Sequence, residues 1–179
     1  MLQISLSGTG GQGLILAGII LAEAAILDGK ETVQTQSYGP EARGGASKAE
    51  VIISDDIIDY PKVVSADILL VMSQEACNKY HGLVGPHGKM IVDTSLVWEI
   101  PEIAAKVVPL GITKAAQEQL GKVMTANIIA MGALVGLTNA VSLEALKTAV
   151  LARVPKGTEK LNQQALEIGF DMVKGMTDF

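Results

Sequence analysis

One cysteine, Cys77, is the only thiol in the 179 residues. A single thiol closes no internal disulfide and holds neither an iron–sulfur cluster nor a zinc ion. Aromatic residues amount to only 3%, so the core has to be filled by Ala, Val, Ile, Leu and Met, the mixture of sheets covered by helices. No run of Lys or Arg occurs, and the net charge is −5. A polyanion-binding face is excluded on that ground, which leaves nucleic acid and anionic membrane as poor partners. The apolar run Leu14 to Leu27 carries Glu23 and is too short to span a bilayer; Ile128 to Leu137 is shorter still. The opening MLQISLSG has neither a basic n-region nor a cleavage site, so the expectation is a chain of the reducing cytoplasm.

What is plentiful is apolar surface. Hydrophobic residues make up 49% and mean hydropathy is +0.36, high enough to predict a sizeable buried interface. The front half alternates. Leu2–Ser7 reads as a strand, Gln12 to about Asp28 as a helix apolar nearly all round, and Glu31–Gln36 and Ser47–Ser54 as strands. Asp67–Met72 reads as a buried strand, followed by a helix capped by Ser73 and running to about Val84. Gly85–Gly88 is predicted to be a turn, Lys89–Asp93 a strand, and Lys106–Leu110 a sixth strand for which Pro109 suggests an edge position or an early end.

Beyond Gly111 the pattern is helical, over 113–120, 125–137, 143–154 and 159–174, with Ser142 and Thr158 at N-cap positions. Met124, Ile128, Met131 and Val135 form a core stripe. Ala126, Ala130, Gly132, Ala133 and Gly136 are small enough for another backbone to come close. No repeat or linker justifies a cut, so residues 1–179 read as a single domain. The fold class is three-layer α/β, a mostly parallel, doubly wound sheet with room for a mixed arrangement and a helical C-terminal portion.

No active site assembles from the reactive residues. His81 and His87 lack a carboxylate partner and read as solvated; Cys77 reads as a small core residue. Asp55, Asp56 and Asp59 fit a turn better than a metal cluster. Asp93 closes a strand on the side where open α/β sheets bind ligands. The chain is expected to work with others.

Two glycine-bearing segments stand out. Gly8-Thr9-Gly10-Gly11-Gln12-Gly13 fits G-x-G-x-x-G between the first strand and the first helix, where a sharp turn and free helix-start N–H groups suit a phosphate or carboxylate. A dinucleotide site also wants an acid at the far end of the second strand, and Val33-Gln34-Thr35-Gln36 has none. A structural turn and a site for another anionic ligand both stay open. The second segment is SYGPEARGG, Ser37 to Gly45. It is longer than chain reversal requires, and its Tyr38, Glu41, Arg43, Gly44 and Gly45 mark it as a subunit-contact or ligand-facing loop. Arg43 either pairs with Glu41 in solvent, worth well under ~1 kcal/mol, or grips a carboxylate or phosphate bidentately across an interface.

GTGGQGLILAGIILAEAA, QTQSYGPEARGGASKAEVIIS, IDYPKV, ADILLVMSQEA and DTSLV, in that order, resemble the gamma subunit of 2-oxoacid:ferredoxin oxidoreductases. The form is most similar to the 2-oxoglutarate enzymes, with the pyruvate and 2-oxoisovalerate enzymes as alternatives and a free-standing dinucleotide-binding enzyme as the rival from outside the family. The resemblance implies a non-redox subunit, inactive alone, in a complex that converts 2-oxoglutarate, coenzyme A and oxidised ferredoxin to succinyl-CoA, carbon dioxide and reduced ferredoxin. It implies alpha, beta and delta subunits as partners, with thiamine diphosphate and iron–sulfur clusters held there, and either coenzyme A or a neighbouring subunit in contact with the Gly8–Gly13 loop. It implies no catalytic residue and no metal in this chain.

Overall fold

The computed structural model describes residues 1–37 and 45–176. Six strands form one sheet in the order β2-β3-β1-β4-β5-β6: β1 (Leu2–Thr9), β2 (Glu31–Ser37), β3 (Ala46–Ser54), β4 (Ala66–Val71), β5 (Val84–Asp93) and β6 (Lys106–Leu110). β1, β4, β5 and β6 run parallel, while β3 is antiparallel to both of its neighbours, β1 and β2. The sheet is therefore mixed. The reversal at β3 moves β2 two positions away from β1, so the second strand does not lie beside the glycine loop as it would in a dinucleotide fold. The charge missing from the end of β2 would have been in the wrong place for a ribose anyway.

Among the described residues the α-helices are α1 (Leu14–Leu27), α2 (Gln74–Tyr80), α3 (Ile112–Leu120), α4 (Ala126–Thr138), α5 (Leu143–Arg153) and α6 (Glu159–Val173). The two faces of the sheet are covered unequally. One carries the main core, where Ile4, Leu6, Val51, Ile68, Leu70, Ile91 and Val108 meet α1 and α3–α6. The other is covered by the short α2 and by connecting segments: Leu69, Val71, Met90 and Val92 pack on Ala76, Cys77 and Val97, and Ile52 packs on Val63 and Ala66.

α1 is apolar all round because it is buried on several sides. Its Gly18 lets the helix settle on β3, where an added Cβ would lie 3.0 Å from that of Ala49. Where α1 ends, the Asp28 carboxylate accepts from the Ser142 hydroxyl at 2.7 Å and the Ser142 amide at 2.5 Å, tying it to the start of α5. Ser142 in turn caps α5 by accepting from the Ala145 amide at 3.1 Å. Glu23 and Arg153 make a second α1–α5 link as a two-pronged ion pair.

The small residues of α4 have the use expected of them. Side chains at Gly132 and Gly169 would run into backbone of α6 and α4 respectively, so these two helices touch main chain to main chain. Ile128, Met131 and Val135 are buried, but Met124, at 89% exposure, lies in the turn before α4 and leaves the stripe. Two boundaries also differ from expectation. Gly85–Gly88 belongs to β5, with an irregular register opposite β4 between Ala66 and Ile68, because strand pairing there overrides local turn chemistry. The helix after Ser73 tightens into a 3₁₀ turn at His81–Leu83 instead of reaching Val84. Thr158 stands at the N-cap of α6 without a side-chain capping bond, its hydroxyl donating to the Pro155 carbonyl at 2.7 Å.

Candidate functional site

The chain leaves β1 toward α1 on one face and leaves β4 toward α2 on the other, so the topological switch point lies between β1 and β4 at their carboxyl ends. Open α/β sheets bind ligands in that crevice. Gly8–Gly13 occupies it. The Gln12 side chain folds back across the gap: its Oε1 accepts from the Thr9 amide at 2.8 Å, and its Nε2 donates to the Met72 carbonyl at 2.7 Å. A bond from the Met72 amide to the Ser7 carbonyl, 2.9 Å, closes the same seam. Gly8 is required by this fold-back, since a Cβ there would overlap Gln12 and lie 2.6 Å from Leu14 Cδ1.

Gly13 is the N-cap of α1 in left-handed backbone, φ 74°. The side of the loop facing the core is filled by Asn127 of α4, whose Nδ2 donates to the Gly13 carbonyl at 3.3 Å and would sit 2.6 Å from a Cβ at position 13. Gly11, at φ 90°, has nothing within 4 Å of its missing Cβ, and Gly10 and Gly11 are exposed. No side chain caps α1 and its first turn carries no acid. The first four N–H groups of a helix have no acceptor within it, so this end keeps donors and partial positive charge for an anion. The fixed turn and the open helix start fit the phosphate or carboxylate end of a ligand by geometry and by charge.

The second glycine segment begins and ends at the same edge. Ala46 pairs with Thr9 across β3 and β1, and the Ser47 hydroxyl reaches the Gly8 carbonyl at 3.4 Å. Gly45 is therefore next to the loop, while Ser37, in register with Lys48, ends β2 at the same edge but one strand further out. Tyr38, Glu41, Arg43 and Gly44 lie outside the described residues.

The other candidates are not brought to this crevice. Asp93 is fully buried and its carboxylate is occupied: Oδ1 accepts from the Ser95 amide at 3.0 Å, and Oδ2 accepts from the Thr113 amide at 3.1 Å and the Thr113 hydroxyl. It anchors the start of α3 and is a structural acid. Cys77 is fully buried, and burial pushes its thiol up from the ordinary value. His81 is half-buried, with Nδ1 3.0 Å from the Cys77 carbonyl, while His87 is exposed on β5. Asp55, Asp56 and Asp59 are exposed, apart from a contact of Asp55 with Lys30, and among the described residues no group of three acids, histidines or cysteines could hold a metal.

Sequence reasoning misses two residues and the role of a third. Gln12 belongs to the candidate anion loop, but the motif does not reveal that its side-chain amide is the clip that holds the glycines. Asn127 was passed over inside an apolar stripe; a lone amide opening such a helix is the signal that could have found it. Gln74 is buried at the start of α2, where its Oε1 accepts from the Trp98 and Glu99 amides, both at 3.0 Å. Its Nε2 donates to the Glu99 carbonyl and to Asn78 Oδ1, both at 2.8 Å. Nothing local in the sequence announces that reach of some 25 residues.

The family model for pyruvate ferredoxin/flavodoxin oxidoreductase matches residues 3–172. The 2-oxoglutarate synthase subunit KorC of Methanocaldococcus jannaschii is 50% identical over 175 residues, which cover 96% of this chain and 94% of that relative. The crystal structure of the gamma subunit of a keto/oxoacid ferredoxin oxidoreductase from Geobacter sulfurreducens superposes with a TM-score of 0.87 at 48% identity, over 96% of this chain and 98% of that one. The same fold recurs within 2-oxoglutarate:ferredoxin oxidoreductase from Magnetococcus marinus, solved with 2-oxoglutarate, coenzyme A and succinyl-CoA bound. There the TM-score is 0.89 at 23% identity, over 99% of this chain and 32% of that one. Matched almost end to end, with its glycine loop seated at the switch point of the shared fold, the protein belongs to the pyruvate ferredoxin/flavodoxin oxidoreductase family.

Proposed function

We propose that the protein, as one domain spanning residues 1–179, is the gamma subunit of a 2-oxoglutarate:ferredoxin oxidoreductase of the cytoplasm. The complex converts 2-oxoglutarate and coenzyme A to succinyl-CoA and carbon dioxide, and the two electrons released pass to ferredoxin. Alpha, beta and delta subunits supply the thiamine diphosphate and the iron–sulfur clusters. The near full-length identity with a 2-oxoglutarate synthase subunit supports the choice of oxoacid. Among the described residues no helix is long and apolar enough to cross a membrane.

Within that complex the Gly8–Gly13 loop receives the anionic end of coenzyme A. The observation that carries this reading is the uncapped start of α1 beside exposed Gly10 and Gly11, at the crevice between β1 and β4. Gln12 and Asn127 hold the loop from behind, so its amides do not have to be ordered when the ligand arrives. Tyr38, Glu41, Arg43, Gly44 and Gly45, read as a subunit-contact or ligand-facing loop, would supply a second contact, with Arg43 as its cation. A ligand phosphate gripped by both segments would be bound by backbone donors and a guanidinium together.

The test is reconstitution of the purified subunits with and without this chain, following succinyl-CoA formation and ferredoxin reduction. Activity that needs this chain, together with no oxidation of 2-oxoglutarate by the chain alone, supports the reading. Full activity in its absence refutes it.

A further inference from the structure

The only tryptophan of the sequence, Trp98, is 80% exposed. Exposure of so large a ring in a connection between β5 and β6 would be unremarkable if the connection were loose. It is held firmly instead. The amide of Trp98 and that of Glu99 both donate to Gln74 Oε1 at 3.0 Å, and the Glu99 carbonyl accepts from Gln74 Nε2 at 2.8 Å. Gln74 is 7% exposed, and Val97, next to the tryptophan, is packed into the core at 3%. A buried amide thus spends most of its hydrogen-bonding capacity on fixing the backbone beneath an indole that touches little of its own chain. Ile100, 37% exposed, adds apolar surface two residues on.

Three acids stand close by in the chain. Glu99 follows the tryptophan, Glu102 lies further along the same connection, and Glu75 adjoins Gln74; all three are exposed. A rigid aromatic anchor with exposed acids beside it suits an interface hot spot, where a central ring enters a pocket and nearby charges set the choice of partner. The same acids argue against two other occupants. A second copy of this chain would bring its own glutamates against these, and the net charge of −5 adds to the repulsion. A polyphosphate ligand would meet the wrong sign.

Resting on the subunit reading above, we propose that Trp98 is a docking anchor for a partner subunit of the oxidoreductase. The partner would present an apolar pocket rimmed by Lys or Arg, and Gln74 would be the residue that positions the anchor. Binding is favoured because the anchor backbone is already ordered, so little conformational entropy is lost on docking.

The experiment uses the full chain labelled with 5-fluorotryptophan, which gives one ¹⁹F resonance, followed alone, with coenzyme A, and in the assembled complex. The expected result is a resonance that is independent of protein concentration and of coenzyme A and that shifts on assembly, with loss of accessibility to a soluble quencher. Trp98→Ala should weaken capture by the partner subunits at least ~30-fold, the scale of a hot-spot residue, with the Tm of the isolated chain unchanged. Glu99→Lys with Glu102→Lys should weaken capture and reverse its salt dependence. A complex that forms with the resonance unmoved, or Trp98→Ala captured like wild type, overturns the proposal while leaving the subunit reading intact. A shift on self-association, or with coenzyme A alone, overturns it too. A chain that joins no oxidoreductase complex defeats the subunit reading itself.

Discussion

Gly11 and Gly13 both have left-handed backbone in one loop, yet alanine at the two positions should have different consequences. At Gly13, with φ 74°, a side chain incurs the ~1–2 kcal/mol of left-handed strain. Its Cβ would also fall 2.6 Å from Asn127 Nδ2, forcing the amide away and breaking its 3.3 Å bond to the Gly13 carbonyl, a further ~1 kcal/mol. The total is about 2–3 kcal/mol, which for a chain of this length is a Tm fall of roughly 4–12 °C. At Gly11, with φ 90° and nothing within 4 Å, only the strain remains, a fall of roughly 2–8 °C and smaller than at Gly13. Thermal unfolding of the isolated chain measures both. In an Asn127→Ala background, Gly13→Ala should cost no more than Gly11→Ala, because the residue it collides with has gone. If the two glycine variants are equally destabilised, or Asn127→Ala leaves the Gly13 penalty unchanged, the account of how α4 braces the loop is wrong.

The other expectations concern the frame around that loop. Gly169→Ala should cost more than the ~1–3 kcal/mol usual for overpacking, because its Cβ would meet only backbone of α4, including the Ala133 nitrogen at 2.7 Å; urea unfolding measures it. Gln74→Ala should cost ~2–4 kcal/mol by stripping partners from the Trp98 and Glu99 amides, and hydrogen exchange at those two amides should accelerate while β1 stays protected. Cys77 should resist alkylation until the chain unfolds, because burial raises its pKa. The folded thiol keeps its proton above the pH, about 8.5, at which the unfolded one loses it. The associated stability is therefore present below that pH and lost as pH rises toward the folded value, and a comparison of wild type with Cys77→Ala along the alkaline limb should show the difference.

Most of the fold could be read in the sequence because its signals are local. The apolar strand ahead of GTGGQG, the alternation around Glu31–Gln36, Pro109 at the edge and Ser142 as a cap each depend on a few neighbouring residues. The reversal at β3 was not legible. Residues 46–54 have the same β-forming character in either direction, and only the register, from Leu2 opposite Ile53 to Thr9 opposite Ala46, shows the sense. Gly85–Gly88 was misread as a turn for a related reason, since the parallel partner β4 lies well before it in the chain. At the candidate site the glycines were visible as a motif, but the residues that hold them were not. Gln12 reaches Met72, and Asn127 reaches Gly13 over 114 positions, contacts that exist only once the sheet and α4 have assembled. Asp93 shows the opposite error. Its place at the end of a strand suggested a ligand, whereas burial and three internal donors show it to be an anchor.

The central claim, resting on the proposed function, is that this chain contributes an anion-receiving edge to coenzyme A while the reacting centres belong to its partners. Steady-state kinetics of the reconstituted complex carrying Gly11→Ala test it most directly, with coenzyme A and 2-oxoglutarate varied separately. The account predicts a raised KM for coenzyme A with the KM for 2-oxoglutarate unchanged. Equal effects on both substrates, or none on either, would contradict it.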